Sequence, residues 1–390
     1  MTAEQLLSTE PEAPRAAGAA AGRAAIIRSS FALVAPHADE LVRRFCATLF
    51  STAPETRGLF PVNMEDQRGR LLRALEQVVG QMDRPDELVP VLEQLGRDHR
   101  RVGVRPEHYE AIGAALLRTL GEFSGPAWTP AVEKAWTDAY AAAVTTMRKA
   151  AAADRGPATW LGQVVEHRRI GWDLAVIGVR TSEPVPYRAG QYVSVETPQR
   201  PRMWRYLSPA NPPRADGRIE FHVRAVQGGW VSRAIVAHSR VGDTWRIGQP
   251  MGRMRVDRDT GRDLLMVAGG TGCAPIRALL EDLAGGRSQP RTQVFVGGRT
   301  WDDLYDFTAL RRLSYVNAWL DVIPVVEHDG TEAGGAERGT LAEVVTRYGA
   351  WADHDVVVCG SPAMIRATVS RMLVAGTPLD RITYDPFAVD

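Results

Sequence analysis

Cysteine is scarce in this chain of 390 residues: there are three, Cys46, Cys273 and Cys359. They are too few and too scattered for a disulfide framework or an iron–sulfur cluster, and they suit a reducing, cytoplasmic setting. Net charge is nearly absent as well. With 47 basic and 46 acidic residues the formal charge is +1, which gives no long-range pull toward nucleic acid or anionic lipid. No stretch of about 18 apolar residues occurs, so no membrane span is expected. The N-terminal "MTAEQLLSTEPEAPRAAGAAAGRAA" has early acids and no apolar core, so it does not read as a signal peptide. Its Ala, Gly and Pro content reads as a loose, disordered tail over residues 1–23. Beyond that tail there is neither low complexity nor an internal repeat. What remains is long enough for two or three domains, each with a core.

Three compositional regimes follow. Over residues 24–153 the apolar period is helical throughout, as in Ile27, Phe31, Val34 and then Leu41, Phe45, Leu49. Pro106 and the Thr129–Pro130 pair stand where helices start. This predicts an all-α domain of about six helices. Over 158–257 the pattern shifts to short strands between Pro and Gly loops, and "IEFHVRAV" alternates strictly, with Ile219, Phe221, Val223 and Ala225 on one face. A small antiparallel β-barrel is predicted. Over 262–390 apolar strands alternate with helices, as in "DLLMVAGGTG" before "CAPIRALLEDL", which predicts an α/β domain with a parallel sheet.

The second and third regimes carry turns suited to phosphates. "GGTGCAP" (269–275) ends a buried strand and opens a helix, so its backbone can approach a pyrophosphate at a helix N-terminus. A plain strand-to-helix turn explains this one motif equally well. "RYLSPAN" (205–211), "GGWVS" (228–232) and "VVVCGSP" then complete a set of four in order. That order resembles the ferredoxin–NADP reductase superfamily over about residues 158–390, in which an FAD-binding barrel precedes a nicotinamide-binding domain. By that resemblance Arg205 meets the flavin phosphate, Ser208 bonds the flavin ring, and Tyr192, Tyr206 and Leu207 border the flavin. Gly228, Gly229, Val231 and Ser232 form a second phosphate turn. Gly269, Gly270, Thr271, Gly272, Cys273, Ala274 and Pro275 cradle the nicotinamide cofactor. Cys359, Gly360 and Pro362 line its nicotinamide end, and Phe387 of "YDPF" lies against the isoalloxazine. Leu207 stands where the superfamily has a stacking tyrosine. Arg299 has the chemistry to pair with a 2′-phosphate, although a solvated surface arginine reads equally well.

In "LGRDHRRVGVRPEHY" (95–109), His99 lies four residues after Leu95 and three before Val102, on the apolar stripe of its helix. A hydrogen-bonded core histidine is the plain reading; an axial ligand of heme iron is the other. "ETRGLFPVNMEDQRGRLL", "LGRDHRRVGVRPEHYEAIG" and "WTDAYAAAV" together resemble the globin domain of flavohemoproteins, in which a globin is fused ahead of an FAD and nicotinamide reductase. The resemblance implies His99 as the proximal iron ligand, Tyr109 as its hydrogen-bond partner and Phe60 against the porphyrin. Gln67 and Leu71 then fall toward the distal pocket. Cys46 occupies the place of the family's distal tyrosine, and Ala151 or Ala152 that of its proximal glutamate. His108, next to inward Tyr109, is expected to point to solvent.

The resemblance thus implies a multidomain oxidoreductase with heme b, FAD and NAD(P)H as cofactors. Dioxygen and nitric oxide are its small-molecule partners, nitric oxide being oxidised to nitrate, with no nucleic acid, membrane or obligatory protein partner. The alternatives are an NAD(P)H-dependent flavin reductase whose globin acts as a gas sensor, a peroxide-reducing heme or a heme-free interaction domain.

Overall fold

The computed structural model describes residues 12–328 and 335–385. The chain divides into two compact units, Met1–Ala158 and Thr159–Asp390. Among the described residues no helix is long and apolar enough to cross a membrane.

The first unit holds α1 (Glu12–Val34), α2 (Ala38–Thr52), α3 (Glu65–Gly80), α4 (Pro85–Val102), α5 (Pro106–Ser124) and α6 (Pro130–Ala153). The tail expected over residues 1–23 is helical from Glu12. Alanine has the highest helix propensity, so such a stretch can extend a helix with no apolar stripe of its own. Residues 1–11 lie outside the described residues. Proline opens α4, α5 and α6, where its missing N–H costs nothing, and the Thr129 hydroxyl accepts from Val132 N at the start of α6.

Two apolar clusters form inside this unit. One gathers Ile27, Leu41, Phe45, Cys46, Leu49, Phe60 and Trp136, with Leu71 and Leu75 of α3 packed on it. The other gathers Leu92, Tyr109 and Met147, with Leu88 and Leu95 of α4 packed on it. Helix α3 packs against α1 and α2, whereas α4 packs against α6. That last contact depends on Gly96, because a Cβ there would sit 2.1 Å from the backbone oxygen of Met147.

The second unit contains the barrel and the α/β lobe. The barrel has β1 (Thr159–Ile170), β2 (Leu174–Thr181), β3 (Tyr192–Glu196), β4 (Arg205–Leu207), β5 (Arg218–Arg224), α7 (Trp230–His238) and β6 (Thr244–Met251). Its antiparallel strands run in the order β4-β3-β6-β1-β2-β5, and a Pro209–Phe221 bridge joins the two ends. Ile219, Phe221 and Val223 fill the interior, as their alternation predicts.

The α/β lobe follows with β7 (Leu264–Gly269), α8 (Cys273–Ala284), β8 (Thr292–Gly298), α9 (Phe307–Val316), β9 (Leu320–Val326), β10 (Glu337–Arg338), α10 (Leu341–Tyr348), β11 (Asp355–Cys359), α11 (Pro362–Ala375) and β12 (Ile382–Thr383). Its strands are parallel in the order β10-β9-β8-β7-β11-β12. Apolar clusters cover both faces. The order reverses between β7 and β11, and the carboxyl ends of strands at such a reversal form a natural crevice.

Candidate active site

In the helical unit, His99 occupies the last turn of α4, one turn beyond Gly96. Its Nδ1 lies 3.0 Å from the Tyr109 hydroxyl, leaving Nε2 as the ring nitrogen able to take a metal. Burial pushes the imidazole down to about 4 and the Arg101 charge adds to this, so the ring is neutral near pH 7. Tyr109 is buried, and the Tyr140 hydroxyl donates to its carbonyl at 2.6 Å. Burial raises the Tyr109 hydroxyl above its ordinary value, against the opposing charge of Arg148 on α6.

His108 does not face solvent. It is 4% exposed, and its Nδ1 accepts from the Arg105 backbone N–H at 3.0 Å, closing a capping box at the start of α5. First-turn side chains fold back onto orphan N–H groups, and here that local bond outweighs the helical periodicity.

Cys46 and Phe60 are buried in the other cluster of this unit, and Phe60 meets Phe50 edge to face at 5.3 Å. Burial raises the Cys46 thiol above its ordinary value, against the opposing charges of Arg68 and Arg57. Gln67 and Leu71, four apart on α3, are both half-buried. So are Leu75, Leu88 and Leu95, although each packs on an apolar cluster. Apolar side chains left half-covered on the borders of two separate clusters suit a flat apolar group whose binding completes their burial. With a neutral imidazole among them, the residues fit heme.

In the second unit a cleft of about 200 Å³ opens at the reversal of strand order. Tyr206, Leu207, Ser208, Thr271, Gly272, Ala274, Pro275, Cys359 and Gly360 line it, so three of the four sequence motifs converge. Gly272 allows the convergence, since a Cβ there would sit 2.3 Å from the Cys359 carbonyl oxygen. Tyr206 is 44% exposed and meets Tyr192 edge to face at 5.2 Å, whereas Leu207 also packs on the barrel core. The aromatic pair at this edge is therefore the half-buried Tyr192 and the exposed Tyr206.

The other reductase residues named from sequence are not among those that line the cleft. Gly228, Gly229 and Ser232 form the turn into α7, with Val231 buried in the barrel core. Arg205 is half-buried on β4, and Gly269 and Gly270 continue from β7. Cys273 is buried in the α/β core. Pro362 begins α11, and Arg299 is exposed beyond β8. Phe387 lies outside the described residues.

Sequence reasoning missed His222, Met254 and Asp385, which also line the cleft. Asp385 stands two residues before Phe387 in "YDPF", yet only the aromatic was read there. It is 6% exposed, accepts the Arg253 backbone N–H, and its Oδ2 has no partner among the described residues. Burial raises its carboxyl to about 6. The Cys359 Sγ touches the Met254 Sδ at 3.3 Å, and burial holds that thiol well above its ordinary value.

His222 had a legible signal: in "IEFHVR" it shares the face of Glu220 and Arg224, opposite the core. Its Nε2–H donates to Glu220 at 3.0 Å, and its Nδ1 accepts from the Tyr305 hydroxyl at 2.8 Å. Arg277 of α8 binds Glu220, Asp306 at 3.1 Å and the Ala210 carbonyl at 3.0 Å. Burial alone would raise Glu220, but His222 and Arg277 outweigh it and hold the carboxylate at about 2. This ionic bracket ties the barrel to the α/β lobe beside the cleft.

Comparison with known proteins follows the same division. Residues 43–147 match the globin family, 162–256 the oxidoreductase FAD-binding domain and 266–370 the oxidoreductase NAD-binding domain. The flavohemoprotein of Bacillus subtilis is 23% identical over 93% of this chain and 96% of its own. Terephthalate 1,2-dioxygenase reductase component 2 of Comamonas sp. is 35% identical, over 50% of this chain and 58% of its own. The crystal structure of flavohemoglobin from Malassezia yamatoensis with bound FAD and heme shares the fold with a TM-score of 0.76, at 17% identity, over 93% of this chain and 98% of its own.

Helical globin, FAD-binding barrel and NAD-binding lobe in one chain define an NAD(P)H-dependent oxidoreductase with heme and FAD as its cofactors. The chain belongs to the flavohemoproteins, whose plan of electron transfer from NAD(P)H through FAD to heme it shares.

Proposed function

We propose that this flavohemoprotein is a nitric oxide dioxygenase, with its modules bounded at 24–153, 158–257 and 262–390. Each nitric oxide combines with one dioxygen and one electron to give nitrate, so one hydride from NAD(P)H serves two nitric oxide molecules. FAD supplies the conversion of a hydride into single electrons, and heme iron supplies the site of dioxygen chemistry. The observation that carries the reading is the His99–Tyr109 pair, 3.0 Å apart, within a globin that precedes a two-lobed reductase.

The chain's own residues divide the work. His99 offers Nε2 to iron while Tyr109 fixes the ring's orientation through Nδ1. Phe60 and Leu71 supply apolar contact to the porphyrin. On the distal side Gln67 is the stronger hydrogen-bond donor, because the neutral Cys46 thiol donates weakly. In the reductase, Arg205 and the Gly228–Ser232 turn hold flavin phosphate, and Ser208 and the tyrosine pair border the flavin ring. The Gly270–Gly272 turn receives the dinucleotide, and the exposed Arg299 has the chemistry to pair with a 2′-phosphate. Asp385 presents at Oδ2 a carboxyl that exchanges its proton near neutral pH.

The test is nitrate formation by the full chain with NADH, dioxygen and nitric oxide, alongside His99→Ala. The parent should form nitrate, while the variant loses its Soret band and nitrate formation and keeps its flavin. A normal Soret band in the variant, or no nitrate from a fully reducible parent, overturns the reading. The 35% identity to an oxygenase reductase component favours a second reading, in which electrons leave for a separate acceptor. That reading requires heme reduction by NADH under argon to be slower than reduction of an added acceptor.

A further inference from the structure

Met254 lines the reductase cleft and also a second cavity, of about 350 Å³. Arg188, Arg253 and Arg255 line that cavity too, and none of its lining residues is acidic. All three arginines are exposed, and among the described residues none has a carboxylate partner. The chain's formal charge is only +1, so the cavity is a local excess of positive charge with no counter-charge. Like charges gathered in one concavity repel each other and focus their field on an anion.

Neutral contacts hold this arrangement in place. The Arg188 N–H donates to the Gln191 side-chain oxygen at 2.9 Å, and the Gln191 side-chain amide donates to the Gly252 carbonyl at 3.2 Å. Gly190 lets the two segments meet: its φ is +89°, and a Cβ there would sit 2.6 Å from the Met254 carbonyl oxygen. Arg188 therefore comes from one segment and Arg253 and Arg255 from the other, across a fixed backbone. A guanidinium grips a phosphate or a carboxylate through two parallel N–H bonds, and three such forks match three negative charges. A concavity suits a compact ligand better than the flat face of a protein.

We propose that this cavity binds a compact trianion, a diphosphate or a tricarboxylate, at a site separate from the dinucleotide turn. Its occupant acts on the cleft through the shared segment. The Arg253 backbone N–H is bonded to Asp385, and the Met254 Sδ touches the Cys359 Sγ. Binding therefore changes the rate of flavin reduction without competing with NADH.

Calorimetric titration of the FAD-loaded full chain with pyrophosphate and with citrate, at fixed ionic strength, tests this. One of the two should bind about tenfold or more tighter than inorganic phosphate, and saturating NAD+ should leave that affinity unchanged. Arg188→Gln and Arg255→Gln should each weaken binding about tenfold, and the double variant should abolish it. With no anion added, these variants should keep their flavin and reduce it with NADH at the parent's rate. The tighter of the two probes then names the ligand's acid group, phosphate or carboxylate. The proposal is overturned if neither probe binds better than inorganic phosphate, or if the double variant binds both as the parent does. Displacement by NAD+ overturns it too, because the anion then occupies the dinucleotide turn. Binding of polyglutamate, but of neither small anion, would make this face a protein-docking surface and equally sink the site.

Discussion

On the proposed reading, Cys46 is the residue whose replacement tests how the distal side of the heme pocket treats dioxygen. Bound dioxygen draws electron density to its outer atom, so a strong donor nearby slows its release. A hydroxyl bond contributes about 0.5–1.5 kcal/mol, and a thiol less. Cys46→Tyr should therefore slow dioxygen dissociation roughly tenfold, a change of about 1.4 kcal/mol. Stopped-flow release with the Soret band as a folding check measures it; an unchanged rate in a folded variant means Gln67 already donates. Asp385 gives a second residue-scale expectation. Its carboxyl titrates at about 6 in the folded protein against 3.8 ordinarily, so between those values the native state binds a proton that the unfolded chain does not. Stability from this group therefore falls as pH rises through that window, and above it the charged carboxylate is a standing cost. Asp385→Asn should raise the reductase's unfolding free energy at pH 7–8 by on the order of 2 kcal/mol and leave it unchanged below pH ~4. Melting curves at the two pH values decide this, and equal shifts at both would show that the effect is not electrostatic.

At the scale of the element, the approach of α4 to α6 places His99. Alanine in a helix is favoured over glycine by about 1 kcal/mol, but at position 96 its methyl would meet the Met147 backbone, which cannot turn aside. The clash should win, costing about 1–3 kcal/mol as the helices part. Gly96→Ala should lower the globin's melting temperature and heme content and spare flavin; unaltered heme affinity would show that α4 tolerates the shift. Elements like these were largely legible in the sequence. The inward placement of His99 is legible because Leu95 and Val102 fix a 3.6-residue period, and the turn at Gly272 because it stands in order with three further motifs, a plain strand-to-helix turn explaining it equally well alone. What escaped depends on contacts far along the chain. His222 is bonded to Tyr305, 83 residues away, and no local pattern announces such a partner. His108 escaped for the opposite reason: a very local bond to Arg105 overrode the periodicity. The start of α1 was misplaced because alanine-rich sequence serves both loose tail and helix.

At the scale of the whole molecule, the ionic bracket around Arg277 is a polar tie between barrel and α/β lobe. Arg277→Met would strand Glu220 and Asp306 as buried carboxylates, at a cost of about 3 kcal/mol. It should slow hydride transfer from NADH to flavin and lower the reductase's melting temperature. Adding Glu220→Gln and Asp306→Asn should restore much of the stability, since matched neutral groups replace such pairs at little loss. No recovery in the triple variant would show that Arg277 acts by shape alone. The helical unit is tied together differently. Each of its two apolar clusters carries half-covered leucines, so on the proposed reading a ligand that covers them becomes part of the core. Folding and cofactor supply are then one equilibrium. At free heme a hundredfold above its dissociation constant, binding adds about 2.7 kcal/mol to the folded state, and at scarcity it adds almost nothing. A cell short of heme would thus hold a reductase carrying a loosened globin, and the amount of competent enzyme would follow the heme supply without any dedicated regulator.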